Sequence, residues 1–371
     1  MNDPSRATSS PQGAGALRRP AVATVTLAAA LALGLAACGR SVEKEAPKQL
    51  VVSMWSEYID PEIPKAFEQE TGIPVRIDVY EATEELMAKL EQGADNQYDL
   101  LVVSDHAIPV LARRGMLQPL DRSKIAGLDA VDQLFVKPVY DPEDLYSVPY
   151  QWGTVGLMVR RDAVGEGDPS WSWILDPASD RGPFVLIDSM RDMLGVALKA
   201  AGASVNARDP EAVRQAGEAV LAAKRSPRFG GFDGGVGGKN KVLAGTATMA
   251  IVYSGDALRA VEEDPGTAYA VPVEGSIIWV DAMVVPKRAP NAEAAHRFIE
   301  FLLRPDVGAQ LSNFNRYATP NKAAMASILP EDRNNPQIYP PPEVMSRLEF
   351  LEDLGEDTRI YDEVWTAVKA R

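Results

Sequence analysis

Residues 276–285 read SIIWVDAMVV, an apolar run with one carboxylate, Asp281, inside it. β-Branched and aromatic residues mark the run as a strand. Few lysines or arginines lie near it in sequence, and a carboxylate buried without a partner costs several kcal/mol. Two readings of Asp281 stand: a residue on the wet face of an alternating strand, or a carboxylate kept in a cleft for a cation. Trp279 lies two residues earlier and so on the same face, placing a ring beside the anion.

Working outward, a second long β-type run covers Val148–Val159 (VPYQWGTVGLMV), with Gly153 inside it. Before it, strands at 50–54, 75–80 and 100–103 alternate with helices at 61–71, 82–92 and 108–114, the first closed by Gly72 and the last by Gly115. Between the two long runs come a strand at 184–187, helices at 190–200 and 210–223, and a strand at 248–253. Helices at 292–303 and 305–312 follow, and 349–369 is partly helical. The alternation predicts an α/β fold with mostly parallel sheets flanked by helices. Two long runs separating two such blocks predict two lobes joined by two crossing strands as a hinge. Ligands of open α/β sheets sit beyond the carboxyl ends of strands, which places a site in the cleft between lobes.

Several chemistry-bearing residues fall at those strand ends. Asp256 follows the strand MAIVY and opens a helix, where it either complements the helix dipole or points into the cleft. Asp188 and Ser189 follow FVLI, one of them as an N-cap, and Asp192 lies in the first helical turn. Ser104, Asp105 and His106 end the strand LLVV. Trp55 and Tyr58 follow the first strand and read as cleft aromatics or as core, and Tyr317 and Trp152 share that ambiguity. Carboxylates and aromatic faces together suit an organic cation: one supplies counter-charge, the other replaces lost water.

Enzyme chemistry finds no support. Ser104, Asp105 and His106 are sequence neighbours and cannot form a relay. His296, on the apolar-faced helix AEAAHRFIEFLL, reads as structural. Two histidines and one cysteine make a metal or thiol site a poor reading. The glycine-rich run around Gly234–Asn240 lacks phosphate-loop spacing. No cofactor is expected. The chain of 371 residues carries a net charge of −14, which argues against nucleic acid and agrees weakly with a cationic ligand.

The N-terminus holds Arg6, Arg18 and Arg19 ahead of a small, apolar run from Ala21 to Ala37, ending Leu35-Ala-Ala-Cys38-Gly39. Residues 1–37 read as a lipoprotein signal peptide, Cys38 as the lipidated first residue of the mature chain, and 38–47 as a polar tether. Cys38 is the sole cysteine, so no intrachain disulfide can form.

At these residues the chain resembles the periplasmic putrescine/spermidine-binding proteins of ABC transporters. The blocks MWSEYIDPEIPKAFEQETGIPV, YDLLVVSDHAIPVLARRGMLQPLD, YSVPYQWGTVGLMV, IIWVDAMVVPK, FLLRPDV and YATPNKAA occur in the family's order over nearly the whole mature chain. IYPPPEV and the WTAVK ending are closer to the putrescine-binding branch. The resemblance implies a two-lobe, type II periplasmic-binding-protein fold, with lobes of 48–153 plus 280–325 and 154–279 plus 326–371. It implies ligand contacts from Trp55, Ser56, Tyr58, Ser104, Asp192, Tyr253, Asp256, Trp279, Asp281 and Tyr317. It also implies a monomer, held by lipid on Cys38 at the outer face of the cytoplasmic membrane or in the periplasm, that hands a polyamine to a permease without turning it over. Four positions depart from the family pattern: Tyr253 for tryptophan, Asp192 for a longer glutamate, His106 for a neutral residue, and Gly235 for serine. Alternatives are capture of another organic cation or amino compound, a lipid-anchored polyamine sensor, and a lipid-anchored enzyme on the same scaffold.

Overall fold

A computed structural model describes residues 49–371. The signal-like segment, the tether and Cys38 lie outside the described residues. The strands are β1 (Leu50–Trp55), β2 (Val75–Tyr80), β3 (Leu100–Ser104), β4 (Ser147–Arg160), β5 (Phe184–Ile187), β6 (Phe229–Asp233), β7 (Met249–Tyr253), β8 (Thr267–Ala270), β9 (Ser276–Val284) and β10 (Leu348–Phe350). They join in the order β2-β1-β3-β9-β4-β7-β5-β6, with β8 added to β4 and β10 to β9.

Pairing changes character along that path. β1 pairs in parallel with β2 and β3, and β5 does so with β6 and β7. The two long runs occupy the middle as β4 and β9, antiparallel to each other and to β7 and β3 respectively. Parallel strands need helical crossovers, which cover both faces of the flanks. Every residue of β9 is buried, as is every residue of β4 before Arg160. That explains why both read as continuous apolar runs, and it removes the wet-face reading of Asp281, which is 5% exposed.

Local chemistry sets the helix ends that matter for the site. Ser189 caps Met190–Ala200, its hydroxyl accepting the Asp192 amide at 3.4 Å. Ser254–Glu263 starts directly at the end of β7, so Asp256 falls in its first turn. Gly72, at φ 71°, ends Glu62–Thr71 by donating its amide to the Glu68 carbonyl.

The glycine-rich tract becomes β6 and the helix Gly235–Leu243 rather than a loop. Close packing explains the glycines there. A Cβ on Gly235 would stand 2.6 Å from the Tyr253 ring and 3.0 Å from the Asp256 carboxylate, and one on Gly238 would press on Val252 at 3.3 Å. Helix propensity yields to the approach of this helix to β7. β8 and β10 are short additions to the long strands, without long apolar runs of their own.

Trp152 packs in the core, with Nε1 donating to the Thr319 carbonyl at 3.4 Å. His296 is structural, as expected: Nε2 accepts the Asp121 amide at 2.9 Å, and Nδ1 meets the Ala292 carbonyl at 2.7 Å. Gly153 on β4 lets β9 and the 317 loop close together, because a Cβ there would lie 2.7 Å from the Trp279 ring and 3.1 Å from that of Tyr317. Gly153→Ala is expected to lower stability by about 1–3 kcal/mol through overpacking, read as a reduced urea midpoint at unchanged slope.

Candidate functional site

A cavity opens where the ends of β1, β3, β5 and β7 meet the middle of β9. All ten residues named from the sequence line it. Trp55, Ser56 and Tyr58 come from the end of β1, and Ser104 from the end of β3. Asp192 comes from the helix after β5, Tyr253 and Asp256 from the end of β7, and Trp279 and Asp281 from β9. Tyr317 follows the helix Pro305–Asn315. The cavity measures about 80 Å³ to the centres of water-sized groups, a slender space.

Aromatic rings form its walls. Trp279 meets Tyr317 edge-to-face at 5.1 Å and Tyr253 at 5.8 Å, while Tyr58 meets Tyr317 at 5.5 Å. Trp55 lies 4.5 Å from Tyr80. Such packing turns ring faces toward the space between them, where a cation or a methylene chain is favoured. A buried network steadies Tyr58: its carbonyl accepts from Tyr150 Oη at 2.8 Å and from Asn315 Nδ2 at 3.4 Å, and Asn315 is bonded in turn to Gln151. The Ser312 hydroxyl donates to the Tyr317 carbonyl, fixing that loop.

Asp281 stands opposite Ser104 of β3 and Gln151 of β4 in the strand register. Burial pushes its carboxyl up to about 7, and the nearby Asp105 adds to that rise. Tyr58, Ser104 and His106 favour the anion and limit the rise. No lysine or arginine among the described residues forms an ion pair with it. Asp192 is likewise held above the usual carboxylate range by burial, against hydrogen bonds from Ser189 and from Tyr253 Oη, the latter at 2.8 Å. Tyr253, with its hydroxyl, thus reaches the shorter aspartate.

Asp256 lines the cavity and is already paired by the protein. Arg259 Nη2 lies 2.8 Å from Asp256 Oδ1 and equally 2.8 Å from Glu57 Oε2, and Lys239 Nζ lies 3.3 Å from that same Glu57 oxygen. Lys239 is on a buried helical face, not in a loop. Although burial pushes Glu57 up, Lys239 and Arg259 together hold it below the usual range. Sequence reasoning missed Arg259, although its place three residues after Asp256 on a helix was a legible cue. His106 lines the cavity with Nδ1 3.4 Å from Asp105, and Asp188 is drawn to Lys369 at 2.7 Å.

Polar atoms at the walls lack protein partners. Trp55 Nε1, Trp279 Nε1 and Tyr58 Oη are buried and make no hydrogen bond of proper geometry among the described residues. The Tyr58 hydroxyl lies close enough to Asp281 to favour its charge without completing a hydrogen bond of proper geometry. Orphaned donors beside an uncompensated carboxylate mark a place built for another molecule.

A family model for bacterial extracellular solute-binding proteins matches residues 62–337. The chain belongs to that family. It is 34% identical over 349 residues to the spermidine/putrescine-binding periplasmic protein of Salmonella typhimurium, covering 92% of this chain and 97% of that one. Against the putrescine/cadaverine-binding protein of Pseudomonas aeruginosa it is 33% identical over 344 residues, covering 89% and 96%. The solved spermidine/putrescine ABC transporter substrate-binding protein of Streptococcus pneumoniae superposes with a TM-score of 0.73 at 29% identity, covering 87% of this chain and 99% of that one. The fold is therefore the two-lobe, type II arrangement of periplasmic binding proteins. No helix among the described residues is long and apolar enough to cross a membrane.

An acid whose folded pKa is raised stabilises the fold while protonated. For Asp281 that contribution is complete below the unfolded value near pH 4 and is lost as pH rises through about 7. Asp281→Asn is therefore expected to melt higher than wild type at pH 8 without ligand, by an equivalent of up to about 4 kcal/mol. The difference should vanish near pH 4. Thermal melts at the two pH values check it; a variant that melts lower at pH 8 refutes the uncompensated charge.

Proposed function

We propose that this protein captures a small polyamine, putrescine foremost and spermidine second, and delivers it to the permease of an ABC transporter. One observation carries the reading: Asp281 is buried beside aromatic rings, and no lysine or arginine among the described residues pairs with it. An ammonium group would supply that charge, and Trp55, Trp279 and Tyr317 would flank the methylene chain. The second ammonium would lie toward Asp192 and the Tyr253 hydroxyl. The names of the relatives support the ligand class. The ligand would be held rather than turned over, a reading supported by the relatives' names as binding proteins.

The alternative of a ligand with its own carboxylate needs a free cation in the site. Lys239 and Arg259 are both engaged by Glu57, which disfavours it.

The division into 48–153 with 280–325, and 154–279 with 326–371, accords with β4 and β9 lying between the two parallel flanks. Lobe closure over the amine would shield its ion pairs from water and strengthen them. The protein would act as a monomer, tethered through lipid on Cys38 at the outer face of the cytoplasmic membrane or in the periplasm.

Calorimetric titration with putrescine, cadaverine, spermidine and spermine tests the class; absence of heat from all four would refute it. Asp281→Asn is expected to weaken putrescine by about 2–5 kcal/mol, since one partner of a desolvated charge pair is lost. A cation favours the Asp281 carboxylate, so binding should expel its proton below pH 7. Affinity should then fall between pH 8 and pH 5.5, by at most about tenfold per unit for one proton. Aliphatic ammoniums stay charged throughout that range. Titrations in buffers of different ionisation heat measure the proton directly, and a pH-independent affinity would refute its source.

A further inference from the structure

The acids lining the cavity differ in whether the protein itself pairs them, and that difference bears on which amine fits. The inference rests on the proposed function and narrows it. Asp281 and Asp192 line the space without a lysine or arginine ion pair among the described residues. Asp256 and Glu57 line it too, but they are paired from behind: with Arg259 and Lys239 they form a set of two anions and two cations. Asp256 and Lys239 are 6% and 8% exposed, while Glu57 reaches them from the exposed side. Glu57 does so from a left-handed backbone, φ 52°, which a non-glycine residue adopts only under local constraint.

We propose that Arg259 is a specificity-determining residue: it fills the place of a third ammonium, so the site takes dications and rejects trications. A guanidinium keeps its charge at any physiological pH. Asp256 and Glu57 raise the affinity of Arg259 for its proton further, outweighing its own burial. An incoming third ammonium at Asp256 would have to displace a partner already anchored on the same helix and on Glu57. It would also face the displaced guanidinium as a like charge. A diamine meets neither cost, because its two charges are answered by Asp281 and Asp192. The Arg259 side chain is 19% exposed, and its removal leaves Asp256 without that partner, so folding of each variant is checked alongside binding.

Titration of wild type, Arg259→Gln and Arg259→Lys with putrescine and spermidine tests the assignment, with thermal melts to confirm folding. Wild type is expected to bind putrescine at least about tenfold tighter than spermidine. Arg259→Gln should shift the ratio at least about tenfold toward spermidine, and Arg259→Lys should keep the wild-type preference. The wild-type ratio needs no variant to fold: spermidine bound as tightly as putrescine overturns the assignment and leaves the proposed function standing. A folded Arg259→Gln variant with an unchanged ratio does the same. Wild type that binds no amine overturns both.

Discussion

The structure turns on a carboxylate buried without a counter-ion. Asp281 sits mid-strand in β9, paired in register to β3 on one side and β4 on the other. Water is excluded by the rings around it, and burial moves its pKa to about 7. A protein selected for stability alone would place an apolar residue or a lysine partner there. The cost persists because the same geometry becomes favourable when a cation enters. The antiparallel centre of the sheet is what makes the position possible, since it carries a chain segment across both parallel flanks with its side chains buried on both faces.

Aromatic walls and acidic ends divide the work. The edge-to-face contacts among Tyr58, Tyr317, Trp279 and Tyr253 fix a narrow slot. Small residues at 153, 235 and 255 allow that closeness: a Cβ at Gly255 would strike the Asn315 carbonyl at 2.5 Å and the Tyr317 ring at 2.6 Å. Gly235 thus answers one departure from the family pattern, since a serine there would collide with Tyr253 and crowd Asp256. The departures at Tyr253 and Asp192 also fit each other, because the phenol hydroxyl spans the distance to the shorter acid.

Much of this was legible in sequence because strand ends are marked by abrupt changes from apolar runs to polar residues. Trp55, Ser104, Asp192, Asp256 and Asp281 each sit at such a change or interrupt such a run, and α/β topology gathers strand ends into one place. The period of two placed Trp279 and Asp281 on one face. The glycine tract at 230–238 resisted, since its helix depends on contact with β7 rather than on propensity. The pairing of Glu57 with Lys239 and Arg259 resisted for a similar reason: it links residues about 180 to 200 positions apart, which no local pattern encodes. Tyr317 was legible through the family resemblance, not through periodicity.

Charge and conformation are coupled by where Asp281 sits. A carboxylate in an exposed loop could be neutralised by a ligand with no consequence for the fold. Here the charge lies between β3 and β4, so its desolvation is felt by strands belonging to both flanks of the sheet. Without a ligand the cavity holds a buried carboxylate that no lysine or arginine among the described residues pairs. With an amine in place, closure gathers ion pairs and ring contacts in a low dielectric, where each is strengthened. The ligand's differential interaction with the two arrangements is then the whole driving force for closure. The Glu57–Arg259 bridge joins the segment after β1 to the helix after β7 with no ligand required.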